Sequence, residues 1–227
     1  MLGRIFAAGL IAGCVAGLVM FAVHVVRIDP LIAAAEVYED AAAAQPMDHA
    51  MAAQAWEPEG WARPAFTFLA NLVIGAGFGL VLSGAFALRQ AASGQGPTAR
   101  EGVLWGIAGF AAFALAPAAG LPPIPPGMVV ADIYARQEWW LATALATAAG
   151  LALIAFVRRP WGWIAAAALI ILPQLIGPPA RPAGADVVPP DIVANFVAAS
   201  LVGAALFWLT LGGVGGWLYA AMAKGRS

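Results

Sequence analysis

Six long apolar runs, divided by short polar breaks, set the limits of what this chain can become: residues 5–26, 66–88, 103–119, 139–157, 161–176 and about 192–219. A helix crosses the hydrocarbon core of a bilayer with about 20 mainly apolar residues, and roughly 17–25 are tolerated. In lipid every backbone N–H and C=O must bond within the protein, so the runs are expected as helices. Composition agrees, with 63% hydrophobic and 10% charged residues, where soluble domains hold about 45–50% and about 25%. The expected fold class is all-α, a polytopic transmembrane helical bundle of six spans in a single membrane domain, 1–227. The fifth run is short and carries Pro173 near its end, so a five-span bundle with that run re-entrant is the alternative. The sixth is long enough to tilt or to emerge from the bilayer. The first run has Arg4 before it, as a signal peptide would. At 22 residues it exceeds the roughly 7–15 of a signal peptide's apolar region, and it reads as a retained span.

Orientation follows from Lys and Arg, which favour the cytoplasmic side. An N-in, C-in arrangement places Arg4, Arg89, Arg100, Arg158, Arg159, Lys224 and Arg226 inside, and Arg27, Arg63, Arg136 and Arg181 outside. The acids then divide sharply. Asp29, Glu36, Glu39, Asp40, Asp48, Glu57, Glu59, Asp132, Glu138, Asp186 and Asp191 lie outside, and Glu101 alone lies inside. Prolines follow the same asymmetry, since only Pro97 and Pro160 fall in inner links. The outer stretches LPPIPPG (121–127), GPPARP (177–182) and VVPPD (187–191) are expected as stiff, non-helical loops. The longest outer loop, 27–65, holds a short Ala-rich helix over 31–44. Asp29 reads as its N-cap and Pro30 as its first residue. Glu36, Glu39 and Asp40 share one face of it, and the helix is expected on the bundle or on the membrane surface.

Glycines recur at helix-packing spacing: Gly9, Gly13 and Gly17 in the first run, Gly75 and Gly79 in the second, Gly102 and Gly106 in the third, Gly212 and Gly216 in the sixth. Small residues let membrane helices approach closely, so these faces pack within one bundle or between subunits of an oligomer. The two halves of three spans show no convincing residue match of the kind that marks an inverted repeat.

No catalytic pattern is present. The chain lacks HExxH, GxSxG, a phosphate-binding loop and CxxC, and it reads as no enzyme and as needing no cofactor. One cysteine, Cys14, cannot form a disulfide framework. A net charge of −1 gives no nucleic-acid footprint. Candidate metal ligands are few. His24 sits at the outer end of the first run, where it lines a path, binds a metal, or simply hydrogen-bonds at the headgroup level. Met47-Asp48-His49-Ala50-Met51 mixes soft, hard and imidazole donors without a fixed metal spacing. Asp132, Arg136 and Glu138 precede the fourth run beside Gln137, Trp139 and Trp140. Asp132 and Arg136 are placed to pair at i, i+4, the tryptophans mark an interface, and two carboxylates there suit a hydrated divalent cation. Gln174, Asn71 and Asn195 are polar groups near or within spans, suited to bonding a neighbouring helix or, for Gln174, a ligand.

The stretch LPPIPPGMVVADIYARQEWWLATALATAAGLAL, residues 121–153, resembles the signature of the CbtA-type predicted cobalt transporter subunits. The matching elements are the Leu-Pro-Pro start, Pro126-Gly127, Asp132, Arg136-Gln137, Trp139-Trp140 and the Thr/Ala/Gly pattern that follows. PQLIGPP (173–179), the glycine-spaced first run and the segment 30–38 are similar as well, so the likeness covers most of the chain. It implies a bacterial inner-membrane protein that imports a divalent metal, cobalt(II), for cobalamin synthesis, alongside a small single-span partner with a histidine-rich motif (CbtB-like). Gln174 stands where that family leads one to expect His, and an amide is a poor metal ligand. The resulting expectation is a subunit for metal uptake. His24, Asp132 and Glu138 would lie near the entry, with His49 and Gln174 as further metal candidates. The alternative is a non-transporting accessory or scaffold subunit of a larger membrane complex.

Overall fold

A computed structural model describes residues 2–44, 60–157 and 159–224. Among these residues the fold is all-helical, with no strand. The helices are α1 (Leu2–Val23), α2 (Asp29–Ala43), α3 (Ala62–Ser93), α4 (Ala99–Phe110), α5 (Ala116–Ala118), α6 (Ile133–Phe156), α7 (Pro160–Ile176) and α8 (Pro190–Lys224). Five helical stretches are long and apolar enough to cross a membrane, and α7 is a shorter apolar helix. Large apolar side chains such as Ile11, Val73, Ile107, Leu145, Ile164 and Val202 face outward, as the lipid-facing surface of a bundle requires.

One correction to the sequence-based expectation concerns the first helix. No new helix starts at Asp29, whose carboxylate does not cap one. α1 runs into α2 through a five-residue π turn, His24–Ile28, and Asp29 N–H bonds the His24 carbonyl. A proline in a helix lacks an N–H, and its ring collides with the carbonyl four residues back. Widening the turn just ahead of Pro30 offers a way to relieve both problems without ending the helix. The same solution recurs between α4 and α5. There a π turn at Ala111–Leu115 precedes Pro117, and Ala116 N–H bonds the Ala111 carbonyl. The stretch Ile5–Ala43 is therefore one helical unit of 39 residues. At 1.5 Å per residue it spans about 60 Å, twice the roughly 30 Å hydrocarbon core. Its α2 end rests against α8 and the Gly127 loop.

Glycines decide which helices pair. A Cβ placed on Gly13 would lie 2.2 Å from the Gly75 carbonyl oxygen, one on Gly9 2.7 Å from that of Gly79, and one on Gly17 2.5 Å from that of Asn71. These partners run in opposite order, so α1 and α3 cross antiparallel with backbones in direct contact. α4 and α8 do the same. A Cβ on Gly102 would meet the Gly212 oxygen at 2.3 Å and Gly216 Cα at 2.7 Å, and one on Gly106 the Trp208 oxygen at 2.3 Å. All four glycine faces are consumed inside the bundle. Where α1, α3 and α8 meet, Ala12, Ala16, Leu82, Phe86, Phe207, Trp208 and Leu211 form the core.

α6 and α7 form a hairpin at the edge of this core. Gly150 packs on Ala166 and Ile170, and the Trp139 indole N–H donates to the Pro173 carbonyl at 3.3 Å. α7 leaves α6 at Val157 and ends beside Trp139 and Ala116 at the opposite end of the bundle. It runs the length of α6 rather than turning back.

Candidate functional site

The end of the bundle that carries α2 is bound together by its proline-rich loops. Asp186 accepts from the Val129 N–H at 3.0 Å and pairs with Arg181, while Arg181 Nε donates to the Val129 carbonyl at 2.8 Å. Gly127, at φ +77°, sits against Val187, Val188 and Glu39. A residue with a side chain would be strained at that φ, which favours glycine. Arg63, at the start of α3, pairs with Glu36 of α2.

His24 lies in the π turn, and its Nδ1 is 3.5 Å from an Asp29 carboxylate oxygen. Five residues apart on an α-helix would point these side chains well away from each other. The wider π turn stacks them. Asp132 is the N-cap of α6, where its carboxylate accepts from the Ala135 N–H at 3.0 Å. It does not pair with Arg136, whose backbone N–H instead bonds the Asp132 carbonyl. Glu138 is exposed on α6. Gln174 donates its amide N–H to the Ala116 carbonyl at 2.9 Å, tying α7 to α5. His49, with its neighbours Met47, Asp48 and Met51, lies outside the described residues. Among the described residues no three His, Cys, Asp or Glu side chains are grouped to hold a metal ion.

Among the cavities that open between the described helices, two stand out. One, of about 430 Å³, lies at the α2 end, between α5, the start of α6 and α8, and carries Arg136, Gln137, Trp140 and Ser200 among apolar and proline walls. The other, of about 480 Å³, is a cleft between α3, α4, α6 and α8. It exists because α6 packs on the π turn and α5 but only lightly on α4. Its walls are apolar, with Val81, Leu104, Ala108, Leu151 and Phe156 among them, and the Arg89–Glu101 ion pair stands at one end.

Glu101 is doubly engaged. Beyond Arg89, its carboxylate accepts from the Thr98 N–H at 2.8 Å, and the Thr98 hydroxyl oxygen accepts from the Glu101 N–H at 3.2 Å. This reciprocal cap starts α4. At the same end Tyr219 donates to the Gln90 side chain at 2.6 Å, joining α8 to α3. The one acid of this end is thus a structural latch between α3 and α4. Its signal, Thr98-x-x-Glu101 ahead of an apolar run, was present in the sequence. The free Arg136 and the contribution of Ser200 had no comparable signal.

Residues 2–220 match the family model described as probable cobalt transporter subunit (CbtA). The chain belongs to the CbtA family. No curated protein and no solved structure proved similar to it. Membership and the apolar helices together make this a multi-pass inner-membrane protein. For a CbtA subunit cobalt is the implied cargo rather than a resident cofactor.

Proposed function

We propose that the chain is the membrane subunit of a divalent-metal uptake system linked to cobalamin synthesis, with cobalt(II) as cargo and N- and C-termini in the cytoplasm across six spans. The observation that carries this reading is the family match over nearly the whole chain. The α2 end would then face outward, and its carboxylates would raise the local concentration of cations. Capture begins at His24, which Asp29 orients. Cobalt(II) accepts imidazole and carboxylate donors together. Asp132 and Glu138 flank the start of α6, His49 is a further candidate ligand, and Gln174 offers only its amide oxygen. The small single-span, histidine-containing partner supplies the ligands this chain lacks, and the membrane potential or the partner drives entry. One observation favours a second reading, an accessory subunit that scaffolds a larger complex: no acidic residue lies in the middle of any described span.

Uptake of cobalt-57 by cells making the chain, with and without the partner, separates the two. Transport predicts accumulation that needs this chain and falls several-fold in His24→Ala at limiting cobalt. Accumulation at background level in every combination would sink the transport reading.

A further inference from the structure

The cavity at the α2 end holds a charge without a counter-charge. Arg136 is half-buried in its wall and has neither an ion pair nor a side-chain hydrogen bond among the described residues. Gln137 and Ser200 stand beside it with their polar atoms also free. A partly desolvated guanidinium is unfavourable until an anion meets it. The nearest acids do not serve: Asp132 is turned to the Ala135 N–H, and Glu138 is not part of the wall. The remaining lining, with Ala114, Leu201 and Ala204, is apolar. A ligand for this space needs an oxyanion at one end and hydrocarbon at the other. A divalent cation is excluded by the guanidinium.

We propose that this cavity is a phospholipid site, in which Arg136 holds the phosphate through paired N–H donors, Gln137 and Ser200 complete its hydrogen bonds, and an acyl chain lies along Leu201 and Ala204. Guanidinium matches phosphate in a two-pronged geometry. Trp140, which lines the cavity beside Arg136, is of the type enriched at headgroup depth. The source follows from electrostatics. A soluble anion must approach through the acidic residues of this end, whereas a lipid phosphate arrives from the side, at its own depth. The inference does not depend on cobalt being the cargo.

The test is a titration of the delipidated chain in detergent with phosphatidylglycerol, read by native mass spectrometry. Arg136→Gln should weaken the tightest site about tenfold, equivalent to about 1.4 kcal/mol. Arg136→Lys should weaken it less, and Arg100→Gln, at the opposite end, not at all. Ala204→Phe, which fills the cavity without touching the charge, should reproduce the loss and keeps the test valid if Arg136→Gln folds poorly. Equal affinity in wild type, Arg136→Gln and Ala204→Phe overturns the proposal. So does dioleoylglycerol, which has no phosphate, binding as tightly as phosphatidylglycerol. Inorganic phosphate displacing the lipid at matched concentration would assign the site to a soluble anion, and would overturn the lipid assignment too.

Discussion

Adding one methyl group at Gly13 should destabilise the bundle, while adding the same group at Gly77 should not. The Cβ of Gly13→Ala would lie 2.2 Å from the Gly75 carbonyl oxygen and 2.6 Å from its carbon, both backbone atoms that cannot swing aside. Even close carbon–oxygen contacts between helices sit near about 3.3 Å, so α1 and α3 must part by about 1 Å. Forced overpacking of this kind costs about 1–3 kcal/mol. Alanine's better helix propensity returns up to about 1 kcal/mol, leaving a net loss of up to about 2 kcal/mol when that full return is counted. At Gly77 a Cβ meets nothing within 4 Å. Only the propensity gain applies there, so Gly77→Ala should be neutral or more stable by up to about 1 kcal/mol.

Reversible unfolding in mixed detergent micelles, followed by circular dichroism, measures both variants. Cys14 is the chain's single cysteine and stands next to Gly13. Its rate of labelling by a thiol-reactive dye is a second, local readout. Gly75→Ala should behave as Gly13→Ala does, because its Cβ would lie 2.2 Å from the Gly13 oxygen. The double variant should lose less than the sum, since helices already parted by one methyl accommodate the other. A Gly13→Ala protein as stable as Gly77→Ala would refute the claim that direct backbone contact joins α1 to α3.

Two further outcomes follow from side chains. Arg89→Gln and Glu101→Gln should each lower stability by up to about 1 kcal/mol, as a partly exposed ion pair warrants; Glu101→Ala, which also removes the carboxylate half of the reciprocal cap on α4, should lose somewhat more in the same assay. Thr143 and Thr147 are buried on α6 with hydroxyls that find no partner among the described residues, so Val at either site should be neutral or stabilising, and a clear loss in the unfolding midpoint would reveal a hidden hydrogen bond.

The spans were legible because lipid allows so few solutions. A run such as 66–88 has no alternative to a helix, and the structure extends it only by turns at each end, to Ala62–Ser93. Glycine spacing correctly marked four packing faces, yet it could not say which faces meet. Pairing of α1 with α3 is local, whereas Gly102 finds Gly216 across more than half the chain. The π turns left no readable trace. A proline near an apolar run looks like a boundary, and in the sequence Asp29-Pro30 has the form of a helix start. Only the absence of a helix-ending loop before it, together with tertiary contacts of α2 on α8, decides for continuation. The site suffered most from this, because the π turn is what brings His24 to Asp29. A period of 3.6 residues would have kept them apart.

The acidic asymmetry looks different once the described carboxylates are placed. Asp186, Glu36, Asp132 and Asp29 are engaged by Arg181, Arg63, the Ala135 N–H and His24 respectively. Glu39, Asp40 and Glu138 are exposed on α2 and α6 and make no ion pair among the described residues. The acids that hold partners stabilise the loops, and among the described residues those without partners are too dispersed to form a coordination shell. Their effect on a cation is therefore a field and not a set of bonds, and it fades beyond about 8 Å at physiological salt. Such a field concentrates ions near the end that carries α2 without selecting among divalent metals. Selection needs nitrogen donors at fixed geometry. Of the two histidines, the one described supplies a single ring, so in the proposed uptake role the remaining donors would come from His49 or from a second polypeptide.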